Sequence, residues 1–319
     1  MLGLLLLGIV VFILAVFICY IKCFYNANRV PENPYEVFQD EQYIAVQDQI
    51  IASTRTMDEA PFEQVAITSF DGLRLSGRYY HHQDGAPVML VFHGYRSLTL
   101  RDSTGGYYLS RKMGFNILAV DQRAHGKSEG HTISFGILER HDCMSWVSYI
   151  SNRFGENTPI VLTGLSMGAA TVVMATALPL PVNVVCVLAD CPYSSPKEII
   201  CKVCKDQGFP SSAAYPFIKL AARIFGGFDL EAASAVQAAG ESKIPILLLH
   251  GDDDRFVPWD MSLKIHNSSN GCTHLELFAG AGHGLSYTMW PKRYEQVCFD
   301  FLMQIPALKP HIKIENFPQ

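Results

Sequence analysis

The segment Gly164-Leu165-Ser166-Met167-Gly168 contains the residue types from which chemistry is most directly expected. It follows the β-branched run PIVLT and precedes the helix-like run AATVVMA. A strand, a G-x-S-x-G turn and a helix in this order form a nucleophile elbow, which raises a serine hydroxyl above the edge of a sheet. The turn strains the serine backbone, so the positions two before and two after it must be nearly free of side chain. We therefore expect Ser166 to be a nucleophile.

Two later segments could supply the base and the acid that activate such a serine. A serine hydroxyl is a weak nucleophile until an imidazole removes its proton, and a carboxylate must fix the tautomer of that imidazole. Where this elbow occurs, the acid precedes the histidine in the chain. Asp254, in HGDDDRFVP after the run IPILLL, and His283, in GAGHG after HLELF, satisfy that order. Among the three consecutive aspartates, the spacing to Val257 and Pro258 favours Asp254, and Asp190 is the reserve acid.

Two backbone amides are expected to stabilise the oxyanion that forms when the serine attacks a carbonyl group. One belongs to the residue after the nucleophile, here Met167. The second comes from the loop after an earlier strand, and FHGYR at residues 92–96 supplies it. Gly94 permits a close approach there, and the amide of Tyr95 is expected to point into the site. Neither donor depends on its side chain.

The elements that must bring these residues together are those of an α/β fold. Residues 62–81 alternate on both sides of Asp71-Gly72, which predicts a hairpin of two antiparallel edge strands. Six later apolar runs are continuous and are separated by longer mixed segments, which predicts parallel strands covered on both faces by helices. These runs are VMLVF at 88–92, FNILAV at 115–120, IVL at 160–162, VVCVLA at 184–189, IPILLL at 244–249 and HLELF at 274–278.

One interval between two predicted strands, residues 194–242, is too long for an ordinary crossover. We expect two or three helices there, one of them over residues 215–225 with Phe217, Leu220 and Ile224 on a common stripe that also includes Ala221. Ligands bind where the strands of an open α/β sheet end. This insertion is therefore either a lid over a pocket or a set of helices packed on the sheet.

Residues 1–21 carry no charged side chain and are expected to form a membrane anchor. Twenty-one helical residues rise about 31 Å, which is enough to cross the hydrocarbon layer of a bilayer. A cleaved signal peptide needs a basic start, a shorter apolar stretch and a small-x-small cleavage site, and none of these is evident. VPENP at residues 30–34 predicts the start of a short polar linker after the anchor.

The sequence favours the cytoplasmic side of the membrane for the rest of the chain. Lys22 and Arg29 both follow the apolar segment, and the positive-inside rule assigns that flank to the cytoplasm. The nine cysteines, an odd number without the spacing of a disulfide framework, point in the same direction. Cys201 and Cys204 lack the strand-to-helix context of a redox motif and have no second pair with which to bind zinc. We expect no metal and no cofactor.

The charge of the chain restricts its partners. A net charge of -5, without a cluster of lysine or arginine, argues against nucleic acid and against a polybasic patch for anionic lipid. The expected partners are a small-molecule acyl ester or a short peptide as substrate, and the membrane through the amino-terminal helix. The sequence does not predict the oligomeric state.

Five motifs, taken together and in order, resemble the signature of the α/β-hydrolase superfamily. They are HGY at 93–95, DQRAHGKSEG at 121–130, GLSMG at 164–168, HGDDDRFVP at 250–258 and GAGHG at 280–284. Within that superfamily the chain is similar to the membrane-anchored hydrolases grouped with the serine aminopeptidase-like and Bem46-like families. The resemblance covers about residues 60–305.

This resemblance implies a fold and an organisation. The fold is a mostly parallel eight-stranded sheet with helices on both faces and a helical insertion, here preceded by one transmembrane helix. The resemblance also implies a Ser-His-Asp triad with two oxyanion amides, carried by the residues already named, and it assigns His93 and His125 to the scaffold. The expected divisions are an anchor and flank at 1–29, a linker and lead-in helix at 30–60, the first part of the core at 61–193, a helical lid at 194–242, and the second part of the core with the C-terminal tail at 243–319.

The expected activity is hydrolysis of an acyl ester through an acyl-enzyme intermediate. Aromatic residues of the insertion, together with the anchor, favour a medium or long acyl chain; they are Phe209, Tyr215, Phe217, Phe225 and Phe228. A serine aminopeptidase-like peptidase or a thioesterase is the alternative, although the peptidase needs an acidic group for the substrate ammonium and none is assignable. A catalytically silent binding protein is a further alternative, which the presence of all three triad residues disfavours.

Overall fold

A computed structural model of the chain describes residues 1–27, 33–313, 315 and 317. The first residues of the predicted linker, and Arg29 before them, lie outside the described residues. Eight strands form one sheet, and their bounds follow the apolar runs of the sequence closely. The strands are β1 (Glu63–Thr68), β2 (Arg74–Tyr80), β3 (Val88–Phe92), β4 (Asn116–Asp121), β5 (Ile160–Leu165), β6 (Val184–Asp190), β7 (Ile246–Gly251) and β8 (Thr273–Phe278).

The sheet has the strand order β1-β2-β4-β3-β5-β6-β7-β8. β2 is antiparallel to both of its neighbours, and the strands from β4 onward in this order pair in parallel. β1 and β2 are the predicted hairpin, and Gly72 in their turn has a φ of 92°, which glycine adopts without steric cost. The prediction of a mostly parallel eight-stranded sheet is confirmed.

Helices connect the strands and precede the sheet. A π-helical turn, Ala222–Gly226, directly follows the helix Ser211–Ala221. A short 3-10 turn, Lys309–His311, lies near the C-terminus. In the described part of the chain the helices are α1 (Leu2–Cys23), α2 (Glu41–Ile44), α3 (Gln47–Glu59), α4 (Thr99–Asp102), α5 (Thr104–Met113), α6 (Glu139–Phe154), α7 (Met167–Ala175), α8 (Pro196–Asp206), α9 (Ser211–Ala221), α10 (Ala235–Glu241), α11 (Asp260–Ser268), α12 (Ser286–Met289) and α13 (Pro291–Leu302).

The central strands of the sheet are buried on both faces, and each contributes to two cores because successive strand residues point to opposite sides. On β3, Val88, Leu90 and Phe92 belong to a core with α6 and α7, whereas Met89 and Val91 belong to a second core with α5 and α13. All five side chains are buried. This two-sided burial explains why the strand is a continuous apolar run, and it confirms the predicted helices on both faces.

The insertion between β6 and β7 contains α8, α9, the π-helical turn and α10. Phe217 and Ile224, on the stripe expected for this segment, are exposed, whereas Tyr215 and Ile218 on the same helix are buried. The stripe is divided: Ala221 is buried in the core and Leu220 packs against it, whereas the Phe217 ring lies 5.6 Å from the Phe12 ring of a second neighbour, α1. The contacts of α9 are therefore divided between the core and the amino-terminal helix.

α1 is long and apolar enough to cross a membrane, and Val16 is its one buried residue. Its carboxyl end is nevertheless attached to the loop that follows β4. The Tyr20 hydroxyl is hydrogen-bonded to Thr132 Oγ1 at 2.7 Å, and the amide of Ile133 donates to the carbonyl of Phe24 at 2.8 Å. The end of the apolar helix is thus fixed relative to the sheet.

Candidate active site

Ser166 occupies the sharp turn between β5 and α7. Its backbone has a φ of 56° and a ψ of -114°, a strained conformation for a residue with a side chain. The glycines on either side are sterically required: a Cβ at Gly168 would lie 2.1 Å from the carbonyl oxygen of Phe92, and one at Gly164 would lie 2.3 Å from the Gly168 carbonyl carbon. The predicted strand, turn and helix are therefore present with the expected strain.

His283 and Asp254 form a hydrogen-bonded pair at the carboxyl ends of β8 and β7. His283 Nδ1 lies 2.7 Å from Asp254 Oδ2, and Asp254 Oδ1 accepts hydrogen bonds from the amides of Phe256 at 2.9 Å and Val257 at 2.8 Å. The chain before Pro258 thus supplies the donors that aim this carboxylate inward. Of the three consecutive aspartates, Asp254 is the one whose carboxylate is hydrogen-bonded to His283 in the described part of the chain.

The other two aspartates of that run have different partners. Asp252 Oδ1 accepts from the amide of Gly280 at 2.6 Å, and Asp253 pairs with Arg255 at 3.1 Å on the surface. Neither contact involves the imidazole of His283.

The pair polarises both of its members. Burial alone would raise the pKa of Asp254, but the charges and hydrogen bonds of His283 and His250 hold that pKa well below its usual range. Burial alone would lower the pKa of His283, but the charge and hydrogen bond of Asp254 raise it above 6.5. His283 is therefore a stronger base than a free imidazole, which suits proton abstraction.

Asp190, the reserve acid, lies at the end of β6 and lines the same cavity without bonding to His283. Its Oδ1 is buried and has no hydrogen-bond partner within the described residues. Burial raises the pKa of Asp190 to about 6, and nearby His250 and Tyr294 only partly offset that effect. The carboxylate that is hydrogen-bonded to His283 is thus Asp254, whereas Asp190 is a separate acid beside Tyr294.

Ser166 and His283 line one cavity and lie on loops that approach closely. The buried Cys191 thiol lies near the backbone amides of both Ser166 and Gly284, so it bridges the two loops. Among the residues that the structure describes, Ser166 Oγ forms no hydrogen bond to His283. Catalytic contacts of this kind are often long without substrate and shorten when it binds.

The two predicted oxyanion donors have free amides. Within residues 33–313, neither the amide of Tyr95 nor that of Met167 donates a hydrogen bond to another residue. A Cβ at Gly94 would lie 3.5 Å from the Ser166 Cβ, so this loop passes directly beside the serine. The amide of Gly94 donates to Asp102 Oδ2 at 2.8 Å, and both Gly94 and Tyr95 line the cavity. Asp102 was not identified from the sequence, where no motif marks it.

The buried side chains of His93 and His125 form hydrogen bonds in and beside this loop. His93 Nε2 accepts from the amide of Gln122 at 3.1 Å, and His125 Nε2 accepts from the amide of Arg96 at 3.0 Å. Burial, together with the neighbouring His93, holds the pKa of His125 well below 6.5. Both rings bond to backbone groups, in agreement with a scaffold role.

The segment before the sheet also reaches the site, which the sequence did not reveal. The Tyr43 hydroxyl, on α2, donates to the backbone carbonyl of His283 at 2.6 Å. Gln42 Nε2 donates to Asp253 Oδ2 at 2.8 Å. No local pattern identifies these contacts, because α2 and the loop after β8 are separated by more than two hundred residues.

The cavity at Ser166 has a volume of about 600 Å³ and mainly apolar walls. Small-molecule sites are commonly of this size and character. Its apolar and aromatic walls come from the lead-in segment, the strand ends and the region around His283, and include Phe38, Ile50, Val91, Leu165, Leu285 and Tyr287.

The aromatic residues of the insertion, from which a medium or long acyl chain was expected, lie outside this cavity. Phe209, Tyr215, Phe217, Phe225 and Phe228 do not line the cavity within the described residues. The insertion contributes Lys202 and Asp206, on α8, to the cavity wall. The aromatic residues are directed elsewhere because α9 packs against α1, where the Phe17 and Phe225 rings lie 5.1 Å apart.

Cys191, Asp254 and His283 could each offer one ligand atom to a metal ion, and these atoms lie within 4.8 Å of one another. Asp254 Oδ2 and His283 Nδ1 already form the 2.7 Å hydrogen bond, however. Burial, with the nearby carboxylates, raises the pKa of the Cys191 thiol well above 9, which disfavours the thiolate that a metal requires. The donor set therefore suits a proton-transfer pair better than a metal site.

Comparisons with known proteins agree with this architecture. The model of the family described as serine aminopeptidase, S33, matches residues 83–205. The esterase Pf2001 of Pyrococcus furiosus superposes with a TM-score of 0.65 at 21% identity, covering 88% of this chain and 98% of the esterase. At that identity the likeness concerns the fold alone.

Two relatives illustrate the range of sequence similarity. The protein YqkD of Bacillus subtilis is 25% identical over 247 residues, which cover 76% of this chain and 81% of YqkD. The lysophosphatidylserine lipase ABHD12 of Xenopus tropicalis is 26% identical over 200 residues, covering 57% of this chain and 46% of the lipase. The chain thus spans less than half of that lipase.

Proposed function

Since the chain belongs to the α/β-hydrolase superfamily, we propose that it is a membrane-anchored serine hydrolase that cleaves acyl esters through an acyl-enzyme intermediate. The observation that carries this proposal is the 2.7 Å bond between Asp254 and His283, which lines the same cavity as Ser166. A strained serine, a polarised imidazole and a paired carboxylate in one pocket suit acyl transfer.

The proposed reaction has two steps. His283 Nε2 takes the proton of Ser166 as Oγ attacks the ester carbonyl, and the amides of Met167 and Tyr95 hold the resulting oxyanion. When the tetrahedral intermediate collapses, the bond between the acyl carbon and the alkoxy oxygen breaks. The imidazolium gives its proton to that oxygen, and the alcohol leaves. His283 then deprotonates a water that attacks the acyl-enzyme, which releases the acid and restores Ser166. Asp254 keeps the ring oriented throughout.

The walls of the cavity favour an ester with an apolar acyl chain. Phe38, Ile50 and Leu285 are among the side chains that would contact such a chain. The lysophosphatidylserine lipase ABHD12, whose name describes action on a lipid ester, lends support to this substrate class. The apolar helix α1 suits a single-pass anchor, and Lys22 at its end favours the cytoplasmic side for the catalytic part.

A serine aminopeptidase is the second candidate, because the matching family model carries that description. An aminopeptidase must hold the substrate ammonium with a carboxylate. Asp102 lines the cavity, but it already accepts from the Gly94 amide and pairs with Arg101 at 3.4 Å. Asp190 is buried and is largely protonated below pH 6, since its pKa is raised to about 6. Neither acid is well suited to a peptide amino terminus.

A substrate panel tests the proposal. The full chain in detergent is assayed with p-nitrophenyl esters of increasing acyl length, with an acyl thioester and with amine-bearing p-nitroanilides. We expect turnover of the esters and labelling of Ser166 by a fluorophosphonate, identified by peptide mass. Faster turnover of the anilides would favour the peptidase, and absence of both labelling and turnover would favour a silent binding protein.

A further inference from the structure

The amino-terminal helix α1 packs against the insertion through apolar side chains. The rings of Phe12 and Phe217 lie 5.6 Å apart, and those of Phe17 and Phe225 lie 5.1 Å apart. These contacts advance in the same direction along α1 and along α9 with its π-helical continuation, so the two helices run side by side. Contacts at two positions along α1 indicate that this helix is packed on the insertion, because a helix attached only through its carboxyl end would not make them.

The position of these contacts along α1 sets their depth. Phe12 lies eleven residues before Cys23, which is about 16 Å along a helix. The hydrocarbon core of a bilayer is about 30 Å thick. If α1 spans the bilayer with Cys23 near one surface, its partner Phe217 lies close to the midplane.

The amino-terminal part of α9, before Lys219, has the composition that such a depth requires. Residues 207–218 contain no charged side chain, and the charges resume only at Lys219 and Arg223, nearer the carboxyl end. Phe209 is 59% exposed, Phe217 37% and Ile224 60%. An exposed apolar patch of this kind marks an interaction surface.

We propose that α9 and the π-helical turn Ala222–Gly226 lie in the bilayer beside α1, with lipid acyl chains covering Phe209, Phe217 and Ile224. This inference rests on the proposed anchoring through α1. The bilayer is the occupant because the patch is continuous with α1, whose own surface is exposed and apolar. A second copy or a protein partner would have to cover the insertion without displacing the lipid around α1.

This arrangement sets the cavity against the membrane surface. The Tyr95 hydroxyl donates to the carbonyl of Cys23 at 2.8 Å, and the Arg96 guanidinium donates to the carbonyls of Lys22 at 3.0 Å and Tyr25 at 2.9 Å. Tyr95 and Arg96 both line the cavity. Its wall therefore meets the carboxyl end of α1, and an ester can enter from the adjoining leaflet without crossing bulk water.

Fluorescence quenching by brominated lipid tests this inference independently of catalysis. The full chain is reconstituted in phosphatidylcholine vesicles whose acyl chains carry bromine, and variants with one added tryptophan are compared with the parent protein. Phe209→Trp and Phe217→Trp probe the insertion, and Leu7→Trp is the reference on α1. Val182→Trp is the matched control, because Val182 is 98% exposed and lies just before the amino end of β6, whereas the cavity lies at the carboxyl ends of the strands.

We expect the added emission of Phe209→Trp, Phe217→Trp and Leu7→Trp to be lost in brominated vesicles, while that of Val182→Trp persists. If only Leu7→Trp is quenched, the anchor stands and the inference is overturned. A blue-shifted but unquenched Phe217→Trp, shielded from iodide, would overturn it in favour of a second copy or a protein partner. If Leu7→Trp is also unquenched, the anchor and the inference both fail, and ester turnover measured on the same samples shows whether the catalytic proposal stands.

Discussion

Two regions of the molecule are stabilised by different means. The catalytic rim, formed by the loops after β3, β5, β7 and β8, is held by directional hydrogen bonds such as the 2.7 Å bond between His283 and Asp254. The anchor–insertion face, formed by α1, α9 and the π-helical turn, is held mainly by ring contacts such as that of Phe12 with Phe217. Polar bonds fix atoms to within fractions of an ångström, whereas apolar contacts tolerate repacking. The difference predicts that substitutions in the rim affect catalysis far more than substitutions on the anchor–insertion face.

The largest effect is expected for Ser166→Ala. Removing the nucleophile should lower kcat for a soluble p-nitrophenyl ester by about 10⁴-fold or more, while the melting temperature stays near that of the parent. Ser110→Ala is the matched control, because Ser110 is a buried serine on α5 whose hydroxyl donates to the nearby carbonyl of Tyr107. Retained turnover in Ser166→Ala would remove this residue from the mechanism.

A smaller but still large effect is expected for Asp254→Asn. The amide cannot stabilise the imidazolium, so kcat should fall by about 10²- to 10⁴-fold. Asp190→Asn is the control within the same cavity and should leave kcat within a few-fold of the parent. The reverse ranking of the two variants would identify Asp190 as the acid that orients His283.

The pH profile sharpens this distinction. Because Asp254 raises the pKa of His283 above 6.5 and the neutral ring is the base, kcat/KM should fall as pH decreases through a value above 6.5. Asp254→Asn removes the largest influence that raises the pKa of His283, and the charges of Asp102 and Asp190 are then left to oppose burial, which lowers that pKa, so the midpoint should shift to lower pH. An unchanged midpoint would show that another group titrates.

The carboxyl group of Asp190 should make the free energy of unfolding depend on pH. Its pKa is near 3.8 when unfolded and raised to about 6 when folded, so the folded state binds the proton more tightly. Stability from this group is present at low pH and is lost as pH rises toward 6 and beyond. The free energy of unfolding of Asp190→Asn, minus that of the parent, should therefore be about 1 to 3 kcal/mol more positive at pH 8 than at pH 4. Chemical denaturation at both pH values measures this difference, and a pH-independent difference would contradict the raised pKa.

A modest effect is expected where the lead-in segment reaches the rim. Tyr43→Phe removes one hydrogen bond to the carbonyl of His283, worth about 1 kcal/mol, and should lower kcat by about 3- to 10-fold. Tyr35→Phe is the matched control, since the Tyr35 hydroxyl donates to Asp58 at 2.9 Å, away from the cavity. Equal effects of the two variants would indicate general destabilisation rather than positioning of His283.

The fold followed closely from local sequence. The apolar runs marked β3 to β7 because a strand buried on both faces leaves few positions for polar residues, and β8 retained an apolar run although it is only partly buried. The elbow at Ser166 was equally local, since its glycines are required within four residues of one another. The surroundings of the site were not predictable in this way. Asp102 and Tyr43 reach the loops near Ser166 and His283 from segments that carry no motif.

The sequence alone determined the order of the elements, the apolar character of α1 and the identity of the candidate nucleophile and base, because each depends on residues close together in the chain. Only the tertiary structure decided which carboxyl bonds to His283, which walls enclose the cavity and which neighbour the aromatic residues of the insertion contact. Those outcomes depend on which distant surfaces meet. The ring of Phe217 packs on α1 rather than in the cavity because the end of α1 is fixed beside the loop after β4.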